Sequence, residues 1–408
     1  MTTSPRFRPS RRAFLAGAGT FAAWNAIPSV AAGAPVRDPR LIVVLMLGAM
    51  DGLALVAPVG DPQYANAREG LLLPDSGSEA ALPLDSMFAL NPHLASVHAL
   101  YRKREALFVH AVASPYRSRS HFDGQEVLQS GYETPGHVRS GWLNRALVGL
   151  TAREVQTGGL AVAAQVPLLL RGAAPAKIWL PKGFRDTTPD TRERLMDLYG
   201  QTDPQLSARL AEALRLEEEI KSGKASMLNG REGDRATREF RGLARAAARI
   251  MNRDAGPRVG VLTLSGWDTH AAEKPVAGRF GRQVVRLDAI LGTLADEMAE
   301  HWSATTVLVI TEFGRMVRMN GTHGTDHGTA TVAMLLGGAV NGGRVVSDWP
   351  GLAEKDLYEG RDLRPTTDLR AIVKGILAEQ FSVPDRALAE KVFPGSGAVR
   401  PMAGLIRT

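Results

Sequence analysis

The sequence predicts an α/β fold: a three-layer, doubly wound, mostly parallel sheet. Three observations carry this prediction. Apolar runs without alternation recur along the chain, helix-like stretches lie between several of them, and the loops beside the runs combine Gly with Asp, Glu or His. A run that is apolar at every position suits a strand buried on both faces. Strands separated by helices are joined by crossovers, which make neighbours parallel. The chain has 408 residues, 44% of them hydrophobic and 22% charged, with 42 Gly and 24 Pro. Such a length buries a full core, and the composition excludes collagen-like, coiled-coil and broadly disordered classes.

The elements follow in order. Residues 41–47 (Leu-Ile-Val-Val-Leu-Met-Leu) form the first strand, ended by Gly48. Residues 92–104 read as a helix, 106–112 as a strand and 122–130 as a helix. Strand 259–264, helix 280–302 and strands 306–310 and 332–336 complete the sheet pattern. Between about 187 and 254 the texture turns polar and rich in Arg and Glu, with helix-prone stretches at 191–199, 204–221 and 235–253. This predicts a helical insertion within one domain spanning 33–408.

Residues 1–32 read as an address. Arg6, Arg8, Arg11 and Arg12 stand there without any acid, and Arg11-Arg12 precede Phe14-Leu15 and a dilute apolar run ending in Ala31-Ala32. A charged head, a short apolar segment and a small-residue end make a secretory signal, here of twin-arginine type. The expectation is a periplasmic or secreted protein whose first partner is the twin-arginine export machinery. The run is too short and too diluted to span a bilayer, and no later stretch is better suited, so no stable membrane span is expected. The same four arginines account for much of the net charge of +7. No basic stripe with interleaved aromatics appears, which speaks against nucleic acid. With no Cys at all, disulfides, zinc–thiolate sites, iron–sulfur clusters and Cys nucleophiles are excluded.

In open α/β sheets, sites form beyond the carboxyl ends of the strands. Asp51 follows the first run, Asp268 and His270 follow 259–264, Glu312 and Arg315 follow 306–310, and Asp326 and His327 precede 332–336. Singly, each reads as a cap or turn residue. Together on one edge they read as a divalent-metal site for Zn, Mn, Mg or Ca, with oxygen donors favouring the last three. Arg117, Arg119, Ser120 and His121 lead into the helix that ends near Gly131. Ser120 is either a helix cap on a basic loop or, with His121, part of an oxyanion site holding a nucleophile or general acid. No Gly-x-Ser-x-Gly elbow is present for a Ser-His-Asp hydrolase.

The early Asp51-Gly52, the Ser-His-Phe segment at 120–122, Gly-Trp-Asp-Thr-His at 266–270, Thr-Glu-Phe-Gly-Arg at 311–315 and Thr-Asp-His-Gly at 325–328 together resemble the domain-of-unknown-function 1501 family. That family is similar to the alkaline phosphatase and sulfatase superfamily, and the resemblance covers nearly all of 41–368. It implies an alkaline phosphatase-like sheet and metal-dependent hydrolysis of phosphate or sulfate esters, with an anionic ester or polysaccharide as partner. It implies Asp51, Asp268, His270, Glu312, Asp326 and His327 as metal residues. Ser120, His121 and Arg315 fall to catalysis, and Arg117 and Arg119 to the substrate anion. The nucleophile slot, ten residues before Gly131, holds His121, with Ser120 displaced by one. Glu312-Phe313 stands where the superfamily usually has Asp-His. These departures keep open a second function: a non-catalytic binding protein of the same fold in envelope or polysaccharide assembly.

Overall fold

Every residue of strand β1 (Arg40–Leu47) up to Met46 is buried, and its side chains alternate between two cores. Ile42, Val44 and Met46 enter one core, and Leu41, Val43 and Leu45 the other. This is what an unbroken apolar run dictates when helices cover both faces of a sheet. The computed structural model describes residues 38–150, 158–163, 165–179 and 235–407. The twin-arginine segment and most of the expected helical insertion, including 191–199 and 204–221, lie outside the described residues.

The strands of the main sheet, in chain order, are β1, β2 (Ala106–Ala113), β3 (Gly159–Val162), β4 (Ala176–Trp179), β5 (Val259–Ser265), β6 (Thr305–Thr311), β7 (Thr331–Leu336), β8 (Arg344–Val346) and β9 (Thr367–Asp368). Their spatial order is β8-β2-β7-β6-β1-β5-β3-β4, with β9 also pairing β2. Among the described residues, β7 alone runs antiparallel to its neighbours; the other pairings are parallel. Helices α1 (Ala95–Arg102), α4 (Arg235–Met251) and α5 (Arg279–Glu297) cover one face. Helices α2 (His121–Ser130), α3 (Trp142–Val148) and α6 (Leu369–Phe381) cover the other. The result is the three-layer, mostly parallel α/β architecture that the sequence predicts. Among the described residues, no helix is long and apolar enough to cross a membrane.

Register decides where the chemistry falls. Leu47 of β1 pairs with Ser265 of β5, and Met46 pairs with Thr311 of β6, so three strands end level. Because β7 runs against them, the segment before it, rather than after it, arrives at the same edge. The Arg315–His327 bridge closes the β6–β7 connection there. Gly48 has a φ of +122°, and a Cβ on it would lie 2.6 Å from the Asp268 backbone nitrogen. Only Gly lets the β5 loop pass so close over the end of β1.

A histidine and carboxylate cluster at the carboxyl edge

Three connections deliver His121, Asp268, His270 and His327 to one place. His121 opens α2, whose amide nitrogens lack carbonyl partners within the helix. Its Nδ1 lies 2.8 Å from Glu312 Oε1, and its ring stacks on Phe313 with centroids 5.1 Å apart. His327 Nδ1 lies 2.9 Å from the Arg119 carbonyl oxygen. His270 Nδ1 lies 3.2 Å from Asp326 Oδ1, which Asn320 Nδ2 also reaches at 3.0 Å. Each imidazole thus has Nδ1 facing an oxygen. A carbonyl oxygen only accepts, so His327 carries its proton on Nδ1.

The Nε2 atoms are turned inward. His270 Nε2 and His327 Nε2 stand 3.0 Å apart, and they lie 3.0 and 3.3 Å from Asp268 Oδ1. His121 Nε2 is 3.5 Å from Asp268 Oδ2 and is a buried nitrogen without a hydrogen-bond partner. With their protons on Nδ1, two facing Nε2 lone pairs at this spacing repel unless a proton or a cation lies between them. His121, Asp268 and His327 offer ligand atoms all within 4.8 Å of one another. The two imidazole nitrogens and the carboxylate of this group, with His270 Nε2 beside His327 and Asp268, are donors of the kind a divalent transition metal takes.

Electrostatics agree with this arrangement. Burial pushes the Glu312 carboxyl up, but hydrogen bonds from His121, Gln125 and the Gly48 amide outweigh it and hold it below the ordinary range. Partial burial likewise raises Asp268, and Arg315, then His270 and His121, draw it down overall. Asp326 is lowered chiefly by Asn320. The Glu312 hydrogen bond raises His121 against the opposing effect of burial. Burial lowers His327, aided by the charges of His121 and Arg315.

Four expected residues, Asp51, Arg117, Arg119 and Arg315, have their side chains engaged within the fold. Asp51 is buried at the same edge but outside the cluster. One oxygen caps the turn Gly52–Leu55 through the amides of Leu53 and Ala54, at 3.0 and 3.3 Å, and the other pairs with buried Arg68. Arg117 donates to the carbonyls of Ser114 and Tyr116. Arg119, at a φ of +57°, pairs with Glu359 at 2.5 Å and Asp362 at 2.8 Å, and its carbonyl oxygen faces His327. Arg315 is buried and donates to Asp268 Oδ1 at 2.6 Å. Ser120 holds the cap position of α2 without using its hydroxyl as a cap. Glu273, which sequence reasoning missed, is wholly buried; burial and the neighbouring Asp51 push its carboxyl up to about 8. Gln125 was missed as well, although its spacing of four from His121 puts both on one helix face.

A three-layer α/β protein with a metal-type cluster beyond its strand ends is the class these features define. The family described as "Protein of unknown function (DUF1501)" matches residues 88–392, and the chain belongs to it. No curated protein matches. Among solved structures the chain is similar to a protein in the alkaline phosphatase superfamily from Vibrio parahaemolyticus (12% identity, 90% of this chain and 71% of that one, TM-score 0.40). It is also similar to the PsFucS1 sulfatase from Pseudoalteromonas sp. (12% identity, 83% and 68%, TM-score 0.37). A third is the C-terminal periplasmic domain of EcEptC from Escherichia coli in complex with Zn (10% identity, 73% and 72%, TM-score 0.34).

Proposed function

We propose that this protein is an exported, metal-dependent hydrolase of phosphate or sulfate esters, with an alkaline phosphatase-like site on its sheet edge. The observation that carries the reading is the convergence of His121, Asp268 and His327, with His270 Nε2 beside the last two and each imidazole oriented through Nδ1 by an oxygen. His121, Asp268, His270 and His327 would hold the ion, and their nitrogen-rich set favours Zn over Mg or Ca. When bound, the metal offsets the negative charge that builds on the transferring group. Glu312, Asp326 and the Arg119 carbonyl hold the imidazoles in their tautomers. Ser120 Oγ, unused as a cap and next to His121, is the candidate nucleophile. Its attack at phosphorus or sulfur would expel the alcohol, the hydroxyl proton passing to the departing oxygen, and water would then cleave the seryl ester, releasing the acid and restoring the hydroxyl.

A second reading is favoured by the engagement of Arg117 and Arg119 in other contacts, which leaves the expected anion clamp fewer guanidinium donors. On that reading the chain binds an anionic ligand in envelope or polysaccharide assembly without turning it over. Elemental analysis and assay of aryl phosphate and aryl sulfate hydrolysis separate the two. The enzyme reading expects bound metal and turnover in the natural protein. His121→Ala should lose metal and activity together, whereas Ser120→Ala should keep metal and lose turnover by orders of magnitude. Metal without turnover on any ester would select the binding protein. Full activity in Ser120→Ala would remove Ser120 as nucleophile.

A further inference from the structure

We propose that Thr325 is a positioning residue for the metal site, acting through Arg315 on Asp268; the inference rests on the metal-site reading above. Thr325 and Glu273 are wholly buried, and Arg315 is nearly so. The Thr325 hydroxyl donates to Glu273 Oε2 at 2.6 Å and accepts from Arg315 Nε at 3.1 Å. A guanidinium only donates, so a lone pair of the Thr325 oxygen receives Arg315, and the hydroxyl hydrogen is left for Glu273. Arg315 Nη2 donates to the backbone carbonyl of the same Thr325. One residue therefore grips the guanidinium at two points. Nη1 is left to hold Asp268 Oδ1 at 2.6 Å.

The grip matters because buried Arg315 is what anchors the Asp268 carboxylate to the fold. Its side chain is 41% exposed, and its Oδ2 must face His121 Nε2, now 3.5 Å away. A partly exposed carboxylate on a loop samples several rotamers unless something fixes one oxygen. Arg315 fixes Oδ1 and so presents Oδ2, and Thr325 fixes Arg315. Arg315 thereby orients a metal ligand, in place of the catalytic role expected of it.

The test uses the full chain stripped of metal, titrated with Zn²⁺ by calorimetry, with the thermal midpoint measured alongside. Thr325→Val keeps the side-chain shape and removes the hydroxyl; Thr325→Ser restores the hydroxyl. Thr325→Val should weaken Zn²⁺ binding by about 10–100-fold, the usual effect of losing such an outer partner. Thr325→Ser should bind close to the natural protein. If Thr325→Val does not fold, Glu273→Leu removes the acceptor behind the hydroxyl and carries the same expectation. Unchanged Zn²⁺ affinity in a folded hydroxyl-less variant would overturn the positioning role alone, as would a loss in Thr325→Ser equal to that in Thr325→Val. No Zn²⁺ uptake by the natural protein would overturn the metal-site reading and this inference with it.

Discussion

His110 makes the fold sensitive to mild acid, and the size of the effect follows from its surroundings. It sits on β2, fully buried, with Nε2 2.9 Å from the Val56 carbonyl oxygen and Nδ1 accepting the Ala111 amide at 2.8 Å. Burial lowers its pKa to about 4, against smaller raising effects of Val56 and Asp51. In the unfolded chain the same imidazole titrates at its ordinary 6.5. A folded pKa below the unfolded one means that protons favour the unfolded chain. Stability is therefore full above pH 6.5 and falls as the pH drops toward 4. The gap of about 2.5 pH units, at about 1.4 kcal/mol each, corresponds to roughly 3 kcal/mol, of which about 2 kcal/mol is lost by pH 5. Urea unfolding of the natural protein and of His110→Gln at pH 7 and pH 5 measures this directly. Gln keeps a donor for Val56, cannot charge, and leaves the Ala111 amide unpaired at every pH. The natural protein should lose about 2 kcal/mol more than the variant between the two pH values. Equal losses would refute the reasoning.

Two further predictions follow from the buried pair at Asp51 and from the amino-terminal arginines. Arg68→Met leaves the Asp51 carboxylate buried without its partner and should cost about 3–5 kcal/mol in urea unfolding, with metal content per folded chain unchanged; a variant of normal stability but lower metal content would return Asp51 to the ligand set. Replacing Arg11 and Arg12 together by Lys should stop export and leave the unfolding midpoint unmoved, because the pair is read by a receptor; normal delivery of that variant to the periplasm would refute the twin-arginine reading.

The long strands were legible because they are buried on both faces. β1, β2, β5, β6 and β7 each lie within a residue or so of an unbroken apolar run. β3, β4, β8 and β9 were not foreseen, since two to four residues carry too little pattern to separate from loop. The reversed direction of β7 was equally hidden: a central strand is apolar whichever way it runs. Helix α2 starts at His121, one residue before the expected 122, and α5 stops at Glu297, short of the expected 302. At the site, Asp268, His270, Asp326 and His327 meet as their places beside the strands imply, and Glu312 joins through His121. The partners of the charged groups were not legible. Nothing local marks Arg68 as the mate of Asp51, or Asp362 as the mate of Arg119, because those pairings arise across 17 and 243 positions of folded chain.

The strand order has a bearing on modularity. The cluster draws on the ends of β2, β5 and β6 and on the segment before β7, so the shortest stretch of sequence that holds it runs from 121 to 327. That stretch lacks β1 and β2, yet β1 is the strand wedged between β5 and β6, and β2 leads directly to His121. An excised segment carrying every cluster residue would therefore lose the spacer that sets the distance between two of its supports. The site is a property of the whole sheet, and it cannot be transplanted as a loop or trimmed to a minimal domain.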